Sequence, residues 1–318
     1  MNLAFMGTPE IARRALEYIY KNTRHEIKAV VTGPDKPAGR GRKIVPTPVK
    51  KTAEELGLPV FTPVSLKDDS FIAQMKEIDA DIYVVVAFRI LPVKLYSIPL
   101  KGSINLHGSL LPKYRGAAPI NWAIINGETE TGLTTFFLQK KVDTGNIIYK
   151  EAINIDPDDS FSSLYGKMAD RAGPVIEKTL DLIESDRVEL IKQDDNLATP
   201  APKISPFDCM IDWGFPAKNV VDFVRGMATV PGAYTYFRGK KLKIFKAVEA
   251  GINPAEKLRP GRVIPDKHKL LVAVAGGAVE ILELLPQGKS VMSGNQFLQG
   301  YRPADNEIFG EMPKGVNY

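Results

Sequence analysis

The order of patterns along this chain predicts an α/β fold, a doubly wound and mostly parallel sheet followed by a small C-terminal β-barrel. Three observations carry that expectation. The first half alternates short apolar runs with segments of helical spacing, the pattern of βαβ units. One of those runs, Asp81 to Ala87, is apolar on both faces, as suits a strand covered on both sides. Past about residue 208 the spacing changes to short strands separated by turn residues, which fits a barrel. At 318 residues and 44% hydrophobic content, the chain is long and apolar enough for two packed cores.

Asn2 to Met6 is the first strand, ending at Gly7-Thr-Pro9, and Glu10 to Tyr20 follows with helical spacing through Ile11, Ala15, Leu16 and Ile19. Ile27 to Val31 supplies a second strand, with helices expected over Val49 to Leu56 and Ser70 to Ile78. Ser103 to His107 reads as the end of a buried strand, and Thr131 to Leu138 and Gly145 to Ile155 as further strands. Ser160 to Ile183 is a long amphipathic helix closing the first domain. Periodicity then fades and Pro200, Pro202 and Pro206 cluster, the mark of a linker. The expected organisation is a first domain over 1–187, a linker over 188–207 and a barrel over 208–318. In the barrel, a short helix around Ala217 to Arg225 precedes strands near 232–239, 242–248, 261–264, 270–274 and 279–285.

Composition narrows the function classes. A net charge of +5 suggests a polyanionic partner without specifying one. A single cysteine, Cys209, permits no intrachain disulfide and no zinc-type ligand cluster; it reads as a small buried hydrophobe in a protein of a reducing compartment. The N-terminus lacks a basic region with a signal-length apolar run, and no stretch is long enough to span a bilayer, so a cytoplasmic protein is expected. Gly7-Thr-Pro9 lacks the second and third glycines of a dinucleotide-binding turn. Ser109 lacks the glycine two residues later that a nucleophile elbow requires, since position 111 is leucine.

The chemistry concentrates in Gly102 to Gly116 and in Val142-Asp-Thr-Gly145. Alternation on a strand sends Asn105 and His107 to one side and Leu106 to the other. Asn105 offers an uncharged N–H donor toward a developing oxyanion. His107 can accept a proton from an amine or, when protonated, stabilise negative charge; the residues alone leave that choice open. Asp143 can orient the imidazole, and Thr144-Gly145 lets the backbone turn sharply to present it. Each residue taken singly also has an ordinary structural explanation: a core histidine, a turn aspartate, a loop-capping asparagine. Only His107 of the three histidines lies in an apolar strand, while His25 and His268 sit between charged residues and read as solvated surface.

Two basic stretches point to the partner. Thr32 to Lys51 is long for a βα connection and carries Lys36, Arg40, Arg42, Lys43, Lys50 and Lys51 against the single acid Asp35, which suits phosphate contacts. Arg238 to Lys246 interleaves cations, among them Lys240, Lys241 and Lys243, with Leu242, Ile244 and Phe245 on one barrel strand. A solvated loop and ordinary strand solvation are the competing readings.

At these residues the chain resembles the methionyl-tRNA formyltransferases over almost its whole length. The segments that carry the resemblance are Phe5-Met-Gly-Thr-Pro9, Pro37-Ala-Gly-Arg-Gly41 with Pro46-Thr-Pro-Val-Lys50, Ser103 to Pro119, Asp143-Thr-Gly145 and Ile211-Asp-Trp213. The Asn-x-His-x-Ser-Leu-Leu-Pro core alone specifies only the folate-dependent formyltransferases; the basic loop and the barrel narrow it. The resemblance implies a Rossmann-like catalytic domain, an OB-like tRNA-binding barrel, and formyl transfer from 10-formyltetrahydrofolate to the α-amine of methionine on initiator tRNA. It implies Asn105, His107 and Asp143 as catalytic, and Ser109, Leu110, Leu111 and Pro112 as a folate-binding segment. Val85, Val86, Phe88 and Ile90 would then lie beside the pterin, and Arg40 and Arg42 in a loop entering the tRNA acceptor region. It implies no metal and no covalent nucleophile, and a monomer is expected. Two stretches depart from the family pattern: the Val86 to Pro92 segment is one residue shorter than usual, and Thr229-Val-Pro-Gly232 stands where Asn-Pro-Trp-Pro is common. The rival readings are a folate-dependent formyltransferase acting on an amino sugar or ribonucleotide, and a catalytically silent tRNA-binding module.

Overall fold

A computed structural model describes residues 1–38, 43–252, 258–305 and 307–311, with residues 38 and 43 described by their backbone alone. The chain divides into two compact units. One comprises Met1–Pro119, Glu130–Asn154 and Tyr165–Pro202, the other Ile120–Thr129, Ile155–Leu164 and Lys203–Tyr318.

The first unit begins β1 (Asn2–Gly7), α1 (Glu10–Asn22), β2 (Glu26–Val31), the short hairpin β3 (Lys36–Ala38) and β4 (Lys43–Val45), and α2 (Pro48–Glu55). It continues through β5 (Val60–Phe61), α3 (Asp69–Glu77), β6 (Ile82–Val86), α4 (Val93–Tyr96), β7 (Ser103–His107) and β8 (Arg115–Gly116). After α5 (Pro119–Ile125), which belongs almost wholly to the second unit, come β9 (Glu130–Phe137), β10 (Ile147–Asn154), α6 (Phe161–Glu184) and β11 (Pro200–Ala201).

Seven strands form one sheet in the order β10-β9-β7-β6-β1-β2-β5. The five from β7 to β5 are parallel, and β9 and β10 are antiparallel additions. The chain starts at β1, moves outward through β2 and β5, then returns to build β6 and β7 on the other side. That reversal defines the doubly wound topology and places ligand crevices outside the strand carboxyl ends. All five residues of β6 are buried, which explains its lack of alternation. Each such aliphatic side chain contributes about 1.5–3 kcal/mol by leaving water. At the end of β1, a Cβ on Gly7 would overlap Ala12 of α1 and crowd the Val86 carbonyl, so glycine here lets helix and strand approach closely. The Tyr165 hydroxyl accepts a hydrogen bond from the first-turn N–H of Ile11 at 2.9 Å, satisfying a donor that Pro9 cannot cap.

In the second unit, α7 (Ala217–Met227) precedes β12 (Ala233–Phe237), β13 (Lys240–Glu249), β14 (Val263–Ile264), β15 (Leu270–Val274), β16 (Gly277–Pro286), β17 (Met292–Ser293) and α8 (Gly294–Tyr301). Six of these strands pair in the order β12-β13-β16-β15-β14, with β17 on β16, all antiparallel. The result is a curled antiparallel half-barrel. Its core joins Trp213, Phe237, Phe297 and Phe309 to the inward aliphatic residues, and the buried indole N–H of Trp213 donates to Thr235 Oγ1 at 3.1 Å. Cys209 is buried as expected, and burial pushes its thiol pKa up. Ser293 and Gln296 form a capping box that starts α8, a helix the barrel pattern does not anticipate.

Two expectations need revision. His25 is buried, not solvated: Arg24 and Glu26 project outward on either side of it, so charged neighbours mark the opposite face of the extended chain. Its Nδ1 lies 3.3 Å from the Met1 amino group and its Nε2 3.7 Å from Asp181. Second, Lys50 is not a spare loop cation. On α2, the helix expected there, Lys50 Nζ binds Asp35 at 2.8 Å, while Lys51 stays exposed with its Nζ 3.9 Å from Glu55. Within the stretch 188–207, Ile191 bridges Ile147 and β11 pairs with β8. The division between the units, after Pro202, falls within that stretch.

Candidate active site

β7 runs between β6 and β9, with Asn105 opposite Val85 and Phe136, and His107 opposite Thr134. Alternation puts Asn105 and His107 on one side, Asn105 half-buried and His107 buried, while Leu106 is buried on the other. His107 Nε2 is 2.8 Å from the carbonyl oxygen of Tyr114. A carbonyl only accepts, so Nε2 carries a hydrogen in either charge state and the nitrogen that gains or loses a proton is Nδ1. That nitrogen faces Asp143 Oδ2 at 3.8 Å, beyond a hydrogen bond but within ion-pair reach. The side chains are 6% and 11% exposed, so the pair interacts largely out of water.

Asp143 occupies the turn between β9 and β10 in a left-handed conformation, φ +56°. Its Oδ2 accepts from the Gly116 N–H at 3.0 Å. At Gly145 a Cβ would collide with the Phe137 carbonyl, so only glycine allows the returning strand to pass this close. Gln193 Nε2 donates to the Asp143 and Gly145 carbonyls at 3.0 and 2.8 Å.

The segment after β7 is anchored from beneath. Thr134 Oγ1 donates to the Ser109 carbonyl at 2.6 Å and accepts from the Leu111 N–H at 3.1 Å, and Ser109 Oγ donates to the Lys113 carbonyl at 2.6 Å. Ser109 is fully buried and shapes its own loop. Leu111 is buried against Phe136 and Ile147, while Leu110 and Pro112 are half-buried. Of the other residues expected beside a pterin, Val85 and Val86 are buried in β6. Phe88 is half-buried, with the Arg89 guanidinium 5.1 Å from its ring centre, and Ile90 is 77% exposed.

Among the expected phosphate-binding residues, Lys36 is exposed on β3 and Lys43 belongs to β4, while Arg40 and Arg42 lie outside the described residues. Lys240 is exposed. Lys241 and Lys243 occupy the face of β13 opposite Leu242 and Ile244, with Lys241 Nζ 3.5 Å from the Tyr234 ring centre and Lys243 Nζ donating to the Pro231 carbonyl at 2.9 Å. Desolvation, reinforced by Lys243, lowers the Lys241 pKa. The described residues contain one acidic cluster with metal-ligand spacing, His25, Asp181 and Glu184. The Met1 amino group already supplies the positive charge there, 3.0 Å from Glu184. None of the helices in the described part is long and apolar enough to cross a membrane.

A profile described as "Formyl transferase" matches residues 1–180, and one described as "Formyl transferase, C-terminal domain" matches 203–302. The protein named methionyl-tRNA formyltransferase of Chlorobium limicola is 44% identical over 96% of this chain and 98% of its own length. The chain belongs to the methionyl-tRNA formyltransferase family. The Bacteroides thetaiotaomicron protein of the same name is 41% identical over 96% of this chain and 97% of its own. Solved structures share the fold at lower identity. A sugar 3N-formyl transferase crystallised with dTDP and 5-N-formyl-tetrahydrofolate superposes with a TM-score of 0.66 at 18% identity, covering 91% of this chain and 99% of that one. HypX from Aquifex aeolicus in complex with tetrahydrofolic acid gives 0.64 at 16%, covering the whole of this chain and 50% of that one.

His107 and Asp143, singled out in the sequence, lie 3.8 Å apart, with Asn105 on the same face of β7 as His107, whereas Gln193, Thr134, Thr199 and Arg115 join them without a role evident in the sequence. No local signal marks Gln193. It lies in a polar, aperiodic stretch and is buried only because of what folds against it.

Proposed function

We propose that this chain transfers the formyl group of 10-formyltetrahydrofolate to the α-amino group of methionine on initiator tRNA, acting in the cytoplasm as a monomer. The catalytic domain is 1–187 and the tRNA-binding domain 208–318, joined by 188–207. The observation that carries the reading is the His107–Asp143 pair, at 3.8 Å and largely out of water, in a chain whose near-full-length relatives bear the methionyl-tRNA formyltransferase name.

The chemistry needs little else. Attack of the neutral amine on the formyl carbon forms a C–N bond and a tetrahedral oxyanion; collapse breaks the bond from carbon to N10 of the folate. The amine gives up one proton and N10 takes one. Asn105 donates to the oxyanion, and His107, once protonated, stabilises the same charge. His107 Nδ1 accepts the amine proton with Asp143 stabilising the imidazolium, and the same proton is then available to the leaving nitrogen. Ser109 to Pro112 hold the folate through their backbone and the surfaces of Leu110 and Pro112, with Val85, Val86, Phe88 and Ile90 forming the neighbouring wall. Lys36, Arg40, Arg42, Lys43, Lys240, Lys241 and Lys243 contact tRNA phosphates. No metal takes part.

Incubation with 10-formyltetrahydrofolate and charged initiator or elongator methionyl-tRNA tests this directly. Formylation confined to the initiator species is expected; failure on initiator tRNA, with turnover of an amino sugar nucleotide, would replace the acceptor assignment.

A further inference from the structure

The polar stretch 191–201 holds both sides of the catalytic imidazole. On the Nδ1 side, the Gln193 amide nitrogen lies between two carbonyls of the same turn, Asp143 and Gly145, at 3.0 and 2.8 Å. Its oxygen accepts from Arg115 Nε and Nη2 at 3.0 and 2.7 Å, and Arg115 Nη1 is bound in turn to Asp195 at 2.7 Å. The amide orientation is therefore dictated, because a guanidinium only donates and a carbonyl only accepts. On the Nε2 side, Thr199 Oγ1 accepts from the Tyr114 N–H and the Thr199 carbonyl from the Arg115 N–H, both at 2.9 Å, fixing the peptide whose carbonyl takes His107 Nε2.

Asp143 requires such support. A non-glycine residue at φ +56° is held there by its surroundings. The buried Gln193 amide secures the carbonyl of that same residue, and Gly116, next to Arg115, secures its carboxylate. We propose that Gln193, oriented by Arg115, is a positioning residue that keeps the Asp143 carboxylate facing His107 Nδ1. It acts through Asp143 and touches neither substrate. The inference rests on the assignment of His107 and Asp143 to catalysis.

Gln193→Leu keeps the volume and removes both donors. We expect kcat to fall about 10- to 100-fold, as loss of a supporting shell or a displacement of about 1 Å at a reacting group does. KM for the folate and for methionyl-tRNA should stay within about twofold. In an Asp143→Ala background, the same substitution should add no further loss, since there is then no carboxylate to position. Wild-type kcat in Gln193→Leu with a lowered melting temperature, or losses that multiply in the double variant, would overturn the inference. Gln193→Glu preserves the acceptor for Arg115 but turns a donor into an acceptor facing two carbonyls. It should show the same kcat defect should the leucine variant fail to fold. Near-normal turnover in Asp143→Ala alone would instead remove the catalytic assignment itself, an outcome distinct from failure of the positioning role.

Discussion

His107 Nε2 stands 2.8 Å from the carbonyl oxygen of Tyr114, and this contact sets the protonation chemistry of the imidazole. It reserves one ring nitrogen for the backbone and leaves Nδ1 toward Asp143 as the only site of proton exchange.

Replacing Asn105 or His107 by alanine should therefore lower turnover by at least about 10²-fold, the usual effect of removing an oxyanion donor or a general base. Folate affinity should change little. Steady-state formylation combined with equilibrium folate binding measures both; near-normal turnover in either variant removes that residue from the mechanism.

Arg40→Ala and Arg42→Ala should weaken methionyl-tRNA binding and flatten its salt dependence. Each lost phosphate contact should lower the slope of log K against log salt by about 1. Binding isotherms from low to moderate salt decide it, and an unchanged slope in both variants assigns the contacts elsewhere.

Burial of His25, aided by the nearby Met1 amino group, lowers its pKa below the ordinary value, while Glu184 and Asp181 act in the opposite direction. The unfolded chain binds the proton near pH 6.5, before the folded one does. Stability is thus fully present above about pH 6.5 and declines as the pH falls from there toward the lowered folded value. Chemical denaturation from pH 7.5 to 5 should show this loss, and His25→Gln should flatten the curve. Identical pH slopes for both proteins would assign the acid sensitivity to other groups.

Gly145→Ala places a methyl group against the Phe137 carbonyl. The backbone must shift, at a cost of about 1–3 kcal/mol, and Asp143, two residues away, moves with it. A lower melting temperature together with a fall in kcat is expected; a loss of stability with kcat intact would mean that the turn relaxes away from the carboxylate.

What the sequence by itself determined is what depends on local period and residue chemistry. The strand–helix alternation of the first half, the five barrel strands and the shared face of Asn105 and His107 follow from spacings of 2 and 3.6 residues, and the structure reproduces them to within a few residues. The turn at Asp143 was legible because an acid before Thr-Gly is a turn signal, whereas its place beside His107 was implied only by the resemblance. Tertiary structure decided everything that depends on which distant segments meet. His25 sits between two charged residues yet faces inward. Lys50 looks like a free loop cation until α2 sets it beside Asp35. Gln193 has no periodicity around it, and its role exists only because the chain brings it back against a turn 50 residues earlier. Period reports which way a side chain points from its own element, whereas a hydrogen bond across 50 residues depends on where the whole chain closes, and no local pattern encodes that.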